Sequence, residues 1–356
     1  MVLTAAVNVE NYRPISLTSL TCKILEHVVF SNFMAHFEKY NVLDNAQHGF
    51  RKNRSTVSQL IITINDFAST LRDQKQTDAI LLDFSKAFDK VDHEGLLLKL
   101  NHLGISGSLL NWVRSFLIGR EQRVIVEGME SAPSKVFSGV PQGTVLGPLF
   151  FLIYINDISK GLSEGTKIRL FADDSLLYRT IETPSDSATL QNDLNTLQLW
   201  EKKWKMEFHP GKCQLLRITN KTEPIKSTYF IHDTPISETD SAKYLGVVID
   251  TKLKWTKQYT NLIKKCNCTL AFIKRNLSNS PSFVKKQCYL SLIRPKLEYA
   301  CAVWDPHCST HIESLEKVQK RAARFVTGNY KMESGAHRFN LDLLGWPKMG
   351  ERRLQD

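Results

Sequence analysis

Three acidic residues stand where acids are costly. Asp83 closes the apolar run Asp78 to Phe84 (DAILLDF), and Asp173-Asp174 fall at the tip of the apolar stretch Ile168 to Arg179. A carboxylate set beside a core loses hydration and needs compensation. Divalent cations provide it, because Mg²⁺ is held through one or two carboxylates plus substrate phosphates rather than by a full protein cage. Two such ions ~3.5–4 Å apart activate an attacking hydroxyl and stabilise the leaving oxygen of an in-line phosphoryl displacement. An Asp-Asp pair also simply makes a tight turn, which Asp favours. Taken alone, the pair leaves both readings open.

Periodicity supplies the elements that must position these acids. Residues 15–40 read as a helix, with Leu17, Leu20, Ile24, Val28 and Phe33 near a 3.6-residue period. The basic loop Gly49 to Thr56 ends in a helix start, Ser55 or Thr56 serving as N-cap. The helix that follows carries Val57, Leu60, Ile61, Ile64 and Phe67. Asp78 to Phe84 reads as a buried strand and 104–120 as a helix. Arg123 to Glu127 and Lys135 to Phe137 read as strands around a turn at Gly128. Gly143 to Ile158 is apolar enough for a buried helix, and Ile168 to Arg179 reads as a hairpin with Ala172 to Ser175 at its tip. A long amphipathic helix over 186–206 and short strands at Gln214 to Ile218 and Lys243 to Asp250 complete this part. After it, Tyr259, Leu262, Ile263, Cys266, Leu270, Ile273 and Leu277 fall at helical spacings, as do Ile312, Leu315, Val318, Ala322 and Phe325.

Charge divides the chain at nearly the same point. Residues 251–356 hold 20 Lys and Arg against 8 Asp and Glu, whereas residues 1–250 hold 27 against 28. The whole +11 excess lies in the last third, which suits a polyanion such as nucleic acid passing one end. A solvated basic helical face with no partner gives the same count. No apolar run approaches the ~18–20 residues of a membrane span, and Arg13-Pro14 interrupt any secretory leader, so a soluble intracellular protein is expected. Seven cysteines without a CxxC pair indicate neither a disulfide framework nor a zinc ribbon. Cys301, Cys308 and His311 fit no usual zinc spacing, so reduced and mostly buried thiols are expected.

Phe171-Ala172-Asp173-Asp174 resembles the catalytic motif of reverse transcriptases, and further blocks occur in that family's order. Asp83-Phe84-Ser85-Lys86-Ala87-Phe88-Asp89 resembles its first catalytic motif. Ser138-Gly139-Val140-Pro141-Gln142-Gly143, continuing through Leu146-Gly147-Pro148 to Asn156-Asp157, resembles its nucleotide- and template-positioning motif. Asn11 to Leu17 and Gly49 to Thr56 are similar to its two fingers motifs. Pro210-Gly211-Lys212-Cys213 stands where the palm lysine is found, and Tyr244-Leu245-Gly246 resembles the primer grip. Ile293 to Ala300 and Val303-Trp304-Asp305-Pro306 are similar to the segment after the polymerase core in jockey-like, LINE-type non-LTR retrotransposons. The blocks span about residue 11 to 353.

The resemblance implies an α/β right-hand polymerase: fingers over about 1–75 and 104–137, a palm with an antiparallel sheet over about 76–103 and 138–250, and an all-α basic thumb over 251–356. It implies RNA-directed DNA polymerisation with two Mg²⁺ ions, Mn²⁺ being a substitute, on an RNA template, a DNA primer and dNTPs. Asp83 and Asp173 become the principal metal ligands, with Asp174 secondary. Phe88 stands where a bulky side chain opposes the sugar 2′ position. Gln142 contacts the incoming nucleotide, and Arg51 and Arg54 hold its triphosphate through charge-assisted bonds. Lys212 lies near the leaving pyrophosphate as a general acid. The basic last third grips the hybrid backbone by charge and shape, with Lys264, Lys265, Lys274, Arg275, Lys285 and Lys286 as candidates and the helix of Lys317, Lys320, Arg321 and Arg324 as a second face.

Elements of this kind pair the polymerase with an upstream endonuclease, which these 356 residues do not contain. The chain thus reads as a polymerase module cut from a longer frame, acting in the nucleus or the cytoplasm. A truncated or host-adopted copy that binds nucleic acid without polymerising is the competing reading.

Overall fold

A computed structural model describes residues 15–331 and 336–353; Asn11 to Pro14 of the first fingers motif lie outside the described residues. In chain order the elements begin with α1 (Leu20–Lys39), α2 (Thr56–Arg72), β1 (Gln76–Leu82), α3 (His93–His102) and α4 (Gly107–Leu117). Four two-residue strands follow, β2 (Glu121–Gln122), β3 (Ile125–Val126), β4 (Met129–Glu130) and β5 (Ser134–Lys135). Then come α5 (Leu146–Ile155), β6 (Thr166–Phe171), β7 (Asp174–Thr180), α6 (Pro184–Trp204) and β8 (Gln214–Thr219). Short strands β9 (Phe230–Ile231), β10 (Thr234–Pro235), β11 (Ser237–Thr239), β12 (Ser241–Tyr244) and β13 (Val247–Asp250) lead to the helices. These are α7 (Thr256–Asn276), α8 (Ser282–Leu292), α9 (Arg294–Glu298), α10 (Cys301–Trp304), α11 (Ser309–Thr327), α12 (Ala336–Leu344) and α13 (Met349–Arg353). None of the described helices is long and apolar enough to cross a membrane.

The chain folds as two compact units. The first holds the described residues up to Ser55, then Lys75–Arg217 and Lys221–Thr239; the second holds Thr56–Gln74, Ile218–Asn220 and the chain from Asp240 onward. The first unit is built on a five-stranded sheet ordered β11-β8-β1-β7-β6. β7 pairs antiparallel with both β1 and β6, as expected of the palm sheet, and β11 adds a parallel pairing to β8 at the sheet's edge.

Beneath the sheet runs α5, apolar all round and therefore buried, packed among Phe33, Phe37, Leu190, Leu194 and Ile80. Its N-terminal amides are capped from a distance. Glu26 of α1, 1% exposed, accepts from Val145 N at 2.8 Å and Leu146 N at 3.0 Å, which compensates both the unpaired donors and the buried charge. The same geometry leaves only Phe33 of the expected apolar face inward. Leu17, Leu20, Ile24 and Val28 are exposed, while Glu26, Phe33 and Phe37 face inward, because an inward carboxylate needs the α5 amides and fixes the rotation of the helix.

In the second unit α11 packs on α7, α8, α12 and α13. Leu315, Val318, Ala322, Phe325 and Val326 are buried, as are Leu262, Cys266, Leu270 and Ile273 on α7, as their spacing predicts; Ile312 stays partly exposed. Tyr289 stacks on Trp346 with ring centroids 4.3 Å apart and donates to Gln319, tying the C-terminal helices to α8 and α11. The expected strand over 243–250 is instead the hairpin β12–β13, broken at Leu245-Gly246 by positive φ angles of 43° and 85°. All seven cysteines are free thiols, but Cys22, Cys268 and Cys308 are exposed, so fewer are buried than expected.

Candidate active site

The register of the sheet brings the acids to one end. Leu82 of β1 pairs with Ser175 of β7, and Phe171 of β6 pairs with Asp174, so Asp83 follows β1 one step beyond its last pair, beside the two-residue turn Ala172-Asp173. That turn needs a positive φ at its first position, and Ala172 adopts it at 54°. Asp173 is half-buried and Asp174 exposed. Among the described residues no three acidic, histidine or cysteine side chains form a ready-made metal cage. Two strand-end carboxylates suit a hard cation that completes its shell with water and phosphate oxygens.

Lys212 reaches this end through a second crossing of the chain. Phe84 forms a bridge with Phe208, and their rings stack at 4.4 Å. His209 N donates to Asp83 O at 2.7 Å, and Ser85 N to Glu207 O at 2.8 Å. The 3-10 turn Pro210–Lys212 follows at once, which leaves Lys212 Nζ 3.8 Å from Asp83 Oδ1 with both side chains about half exposed. Glu201 of α6 steadies the crossing by accepting from Phe208 N and lies 3.1 Å from His232 Nε2; burial raises its carboxyl above the ordinary range.

Phe88 sits in the 3-10 turn Ala87–Asp89, its ring stacked on Phe151 of α5 at 4.4 Å. The loop carrying Gln142 is bonded to this turn. Gly139 N donates to Val91 O, Val140 N to Phe88 O, and Gln142 Nε2 to Asp89 Oδ1 at 3.1 Å. A Cβ on Gly139 would stand 2.8 Å from Asp89 Cα, and its φ is 88°, so close backbone approach and conformation both require glycine there. Phe88 and Gln142 therefore share one small framework.

The loop over residues 44–55 lies against the acidic hairpin, although its two arginines bond inward. Ala46 O accepts from Leu170 N and His48 N donates to Leu170 O, so residues 46–48 run along β6. Arg51 Nη1 donates to Asp44 O at 2.7 Å, and Arg54 Nη1 lies 2.7 Å from His48 Nε2. Burial, with Arg54, Arg169 and Arg51 nearby, lowers His48 to about 4. The imidazole is neutral near pH 7, and Nε2 can accept from the guanidinium. Gln47 is buried and bonds the hairpin itself; it lies two residues before the Gly49 to Thr56 motif, outside the residues that the resemblance singles out. Reasoning also missed Asp78, a fully buried acid inside the apolar run of β1 that pairs with Arg217 of β8 at 3.2 Å.

In the second unit Tyr244 and Leu245 are buried, so the turn presents backbone and Gly246. Tyr299 Oη donates to Leu245 O at 2.7 Å and braces it. A groove of about 360 Å³ beside the turn is lined by Lys243, Lys265, Lys296 and Tyr299. Lys264, Lys265 and Arg275 are exposed on α7, while Lys274 is half-buried with its amine lowered by burial and by Arg321 and Arg324. Lys286 donates to Leu344 O at 3.2 Å, a bond within the fold. Lys285 lies over the Phe325 ring at 4.9 Å.

A mixed sheet with an acid-bearing hairpin at one end, followed by a basic helical unit, agrees with the right-hand polymerase architecture. The chain belongs to the reverse transcriptase family: residues 6–249 match the family described as reverse transcriptase (RNA-dependent DNA polymerase). It is 31% identical over 90% of its length to the RNA-directed DNA polymerase from mobile element jockey of Drosophila funebris. It is 27% identical over 89% of its length to the probable RNA-directed DNA polymerase from transposon X-element of Drosophila melanogaster. It spans 36% of the length of each of these relatives. The solved apo telomerase from Candida tropicalis overlays with a TM-score of 0.46 at 12% identity, over 90% of this chain and 56% of that one.

Proposed function

We propose that the chain is the polymerase module of a non-LTR retrotransposon protein and extends a DNA primer on an RNA template. The observation that carries this is the placement of Asp83 and the Asp173 turn at one end of the sheet, with Lys212 3.8 Å from Asp83. Asp83 and Asp173 hold the cations, with Asp174 assisting. Two bound Mg²⁺ ions, or Mn²⁺ in their place, would supply Lewis-acid activation of the primer hydroxyl and of the α-phosphate. In the reaction the primer 3′-oxygen bonds to the α-phosphorus, the bond to pyrophosphate breaks, and the hydroxyl proton leaves to solvent. Lys212 protonates the departing pyrophosphate.

Phe88, backed by Phe151, blocks a sugar 2′-hydroxyl, and Gln142 orients the nucleotide. Arg51 and Arg54 engage the triphosphate after exchanging their inward bonds. The Tyr244-Leu245-Gly246 turn steadies the primer end, and Lys264, Lys265, Lys274 and Arg275 meet the hybrid backbone. Within the longer protein an endonuclease would cut the chromosomal target, which places the work in the nucleus.

The test is primer extension on an RNA template with Mg²⁺ and dNTPs, beside Asp173→Ala. Extension by the parent and none by the variant supports the proposal. No extension by either, with salt-sensitive hybrid binding retained by both, would identify a binding remnant instead.

A further inference from the structure

We infer that Gln47 is a positioning residue that holds the Asp173 turn in its metal-binding shape, an inference that rests on Asp173 being a metal ligand. Its side chain lies in the crevice between the fingers loop and the hairpin, 2% exposed. Oε1 accepts from Gly49 N at 2.7 Å and from Ala172 N at 3.0 Å. Two converging N–H donors fix which end of the amide faces them, because the NH₂ group could accept neither. Ala172 is buried and holds the positive φ of the turn, a conformation that a residue with a Cβ disfavours. Without an acceptor its amide would be a buried, unpaired donor beside that disfavoured backbone.

A Cβ on Gly49 would stand 2.4 Å from Ala172 N, so the loop backbone is already at closest approach; the backbone bonds of Ala46 and His48 end at Leu170, and the Gln47 oxygen carries the contact on to the turn itself. Gln47 Nε2 is buried with no hydrogen-bond partner among the described residues. The side chain is thus kept for its oxygen. The loop that carries Arg51 and Arg54 and the turn that carries Asp173 are bonded to one another at this atom. Shifting either moves the other.

Direct Mn²⁺ binding, followed by electron paramagnetic resonance, tests this with the full chain, alongside thermal unfolding and primer extension. Gln47→Met keeps the length and removes the acceptor; Gln47→Glu keeps the acceptor. The expected result is Mn²⁺ affinity weakened about tenfold in Gln47→Met, with kcat falling more than KM for dNTP changes, and affinity within about twofold of the parent in Gln47→Glu. A merely structural role would lower the unfolding temperature and leave the Mn²⁺ midpoint unchanged, and that result overturns the inference. If Gln47→Met does not fold, loss of Mn²⁺ affinity in a folded Gln47→Glu overturns it and retention supports it. Asp173→Ala separates the two levels. Parental Mn²⁺ binding in Asp173→Ala removes the metal-ligand reading itself, whereas loss there with parental binding in Gln47→Met removes only the role of Gln47.

Discussion

Replacing Asp78 with alanine should cost about 3–5 kcal/mol, the range for removing one partner of a buried ion pair. Asp78 has no exposure, and its Oδ1 accepts from Gln76 Nε2 at 2.9 Å and Arg217 Nε at 3.2 Å, while Oδ2 accepts from Tyr229 Oη at 2.8 Å. Arg217 is itself 3% exposed, and its remaining bonds go to the half-exposed Glu238 and to Ser227 O. Without Asp78 the guanidinium is a buried charge with one weak counter-charge, and Tyr229 Oη and Gln76 Nε2 each lose a bond, Gln76 Nε2 keeping the one to Ile225 O. For a unit of this size the loss corresponds to a fall in melting temperature of about 6–20 °C. Urea unfolding followed by circular dichroism would measure it. Asp78→Leu combined with Arg217→Met removes both charges and should recover to within about 2 kcal/mol of the parent. A loss below about 1 kcal/mol in the single variant, or a double variant worse than the sum of its singles, would refute the assignment of this network as a buried charge pair. Extension per folded molecule should change little at low temperature, because His209 N anchors Asp83 O independently.

Phe88→Ala should raise kcat/KM for ribonucleotides relative to deoxynucleotides by about tenfold or more, equivalent to ~1.4 kcal/mol of steric exclusion; single-nucleotide insertion with matched rNTP and dNTP reads it. Gly49→Ala drives a Cβ to within 2.4 Å of Ala172 N and should cost about a hundredfold in extension, as a misplacement of roughly 1 Å can; an active variant would show that the hairpin yields without penalty. Lys99, 8% exposed and walled by Trp204 at 3.7 Å, is lowered by burial from 10.5 to about 8 despite its bond to Asp157. Between pH 8 and 10.5 the unfolded chain holds the extra proton, so this group makes stability rise with pH there by about 3 kcal/mol in all, and contributes a constant below pH 8. Unfolding free energies at pH 7.5 and 9.5 should show about 2 kcal/mol of that rise in the parent and a flatter profile in Lys99→Met.

The parts of the site legible in the sequence are those with a local signature. The Asp173 hairpin is an apolar run interrupted at two residues, α5 is apolar throughout, and Lys212 follows a Pro-Gly turn, so each could be placed from a few neighbouring positions. What the sequence does not display is polar burial across long separations. Gln47 and Ala172 are 125 residues apart, Asp78 and Arg217 are 139, and Glu26 lies 119 residues from the first amide that it caps. Such partners follow no period, and each residue alone looks like surface. The rotation of α1 is hidden for that reason, since its apolar residues cover more than one face and a single carboxylate decides which is inward. Leu245 hid the β12–β13 turn because leucine is an uncommon residue at positive φ.

These long-range bonds explain how groups so open to solvent can be placed accurately. Asp83 and Lys212 are each about half exposed and meet only at 3.8 Å, a pairing too weak to set geometry. Their positions come from backbone instead, through His209 N on Asp83 O and the Phe84–Phe208 bridge; for the Asp173 turn the corresponding anchor is Ala172 N on the Gln47 side-chain oxygen. Side chains at the reacting centre can then be displaced by substrate without releasing the frame that holds them. Severity of substitution should accordingly follow distance from these anchors as much as charge. A neutral change at Gly49 or Gln47 should harm extension more than removal of an exposed lysine on α7, where Lys264, Lys265 and Arg275 are all exposed.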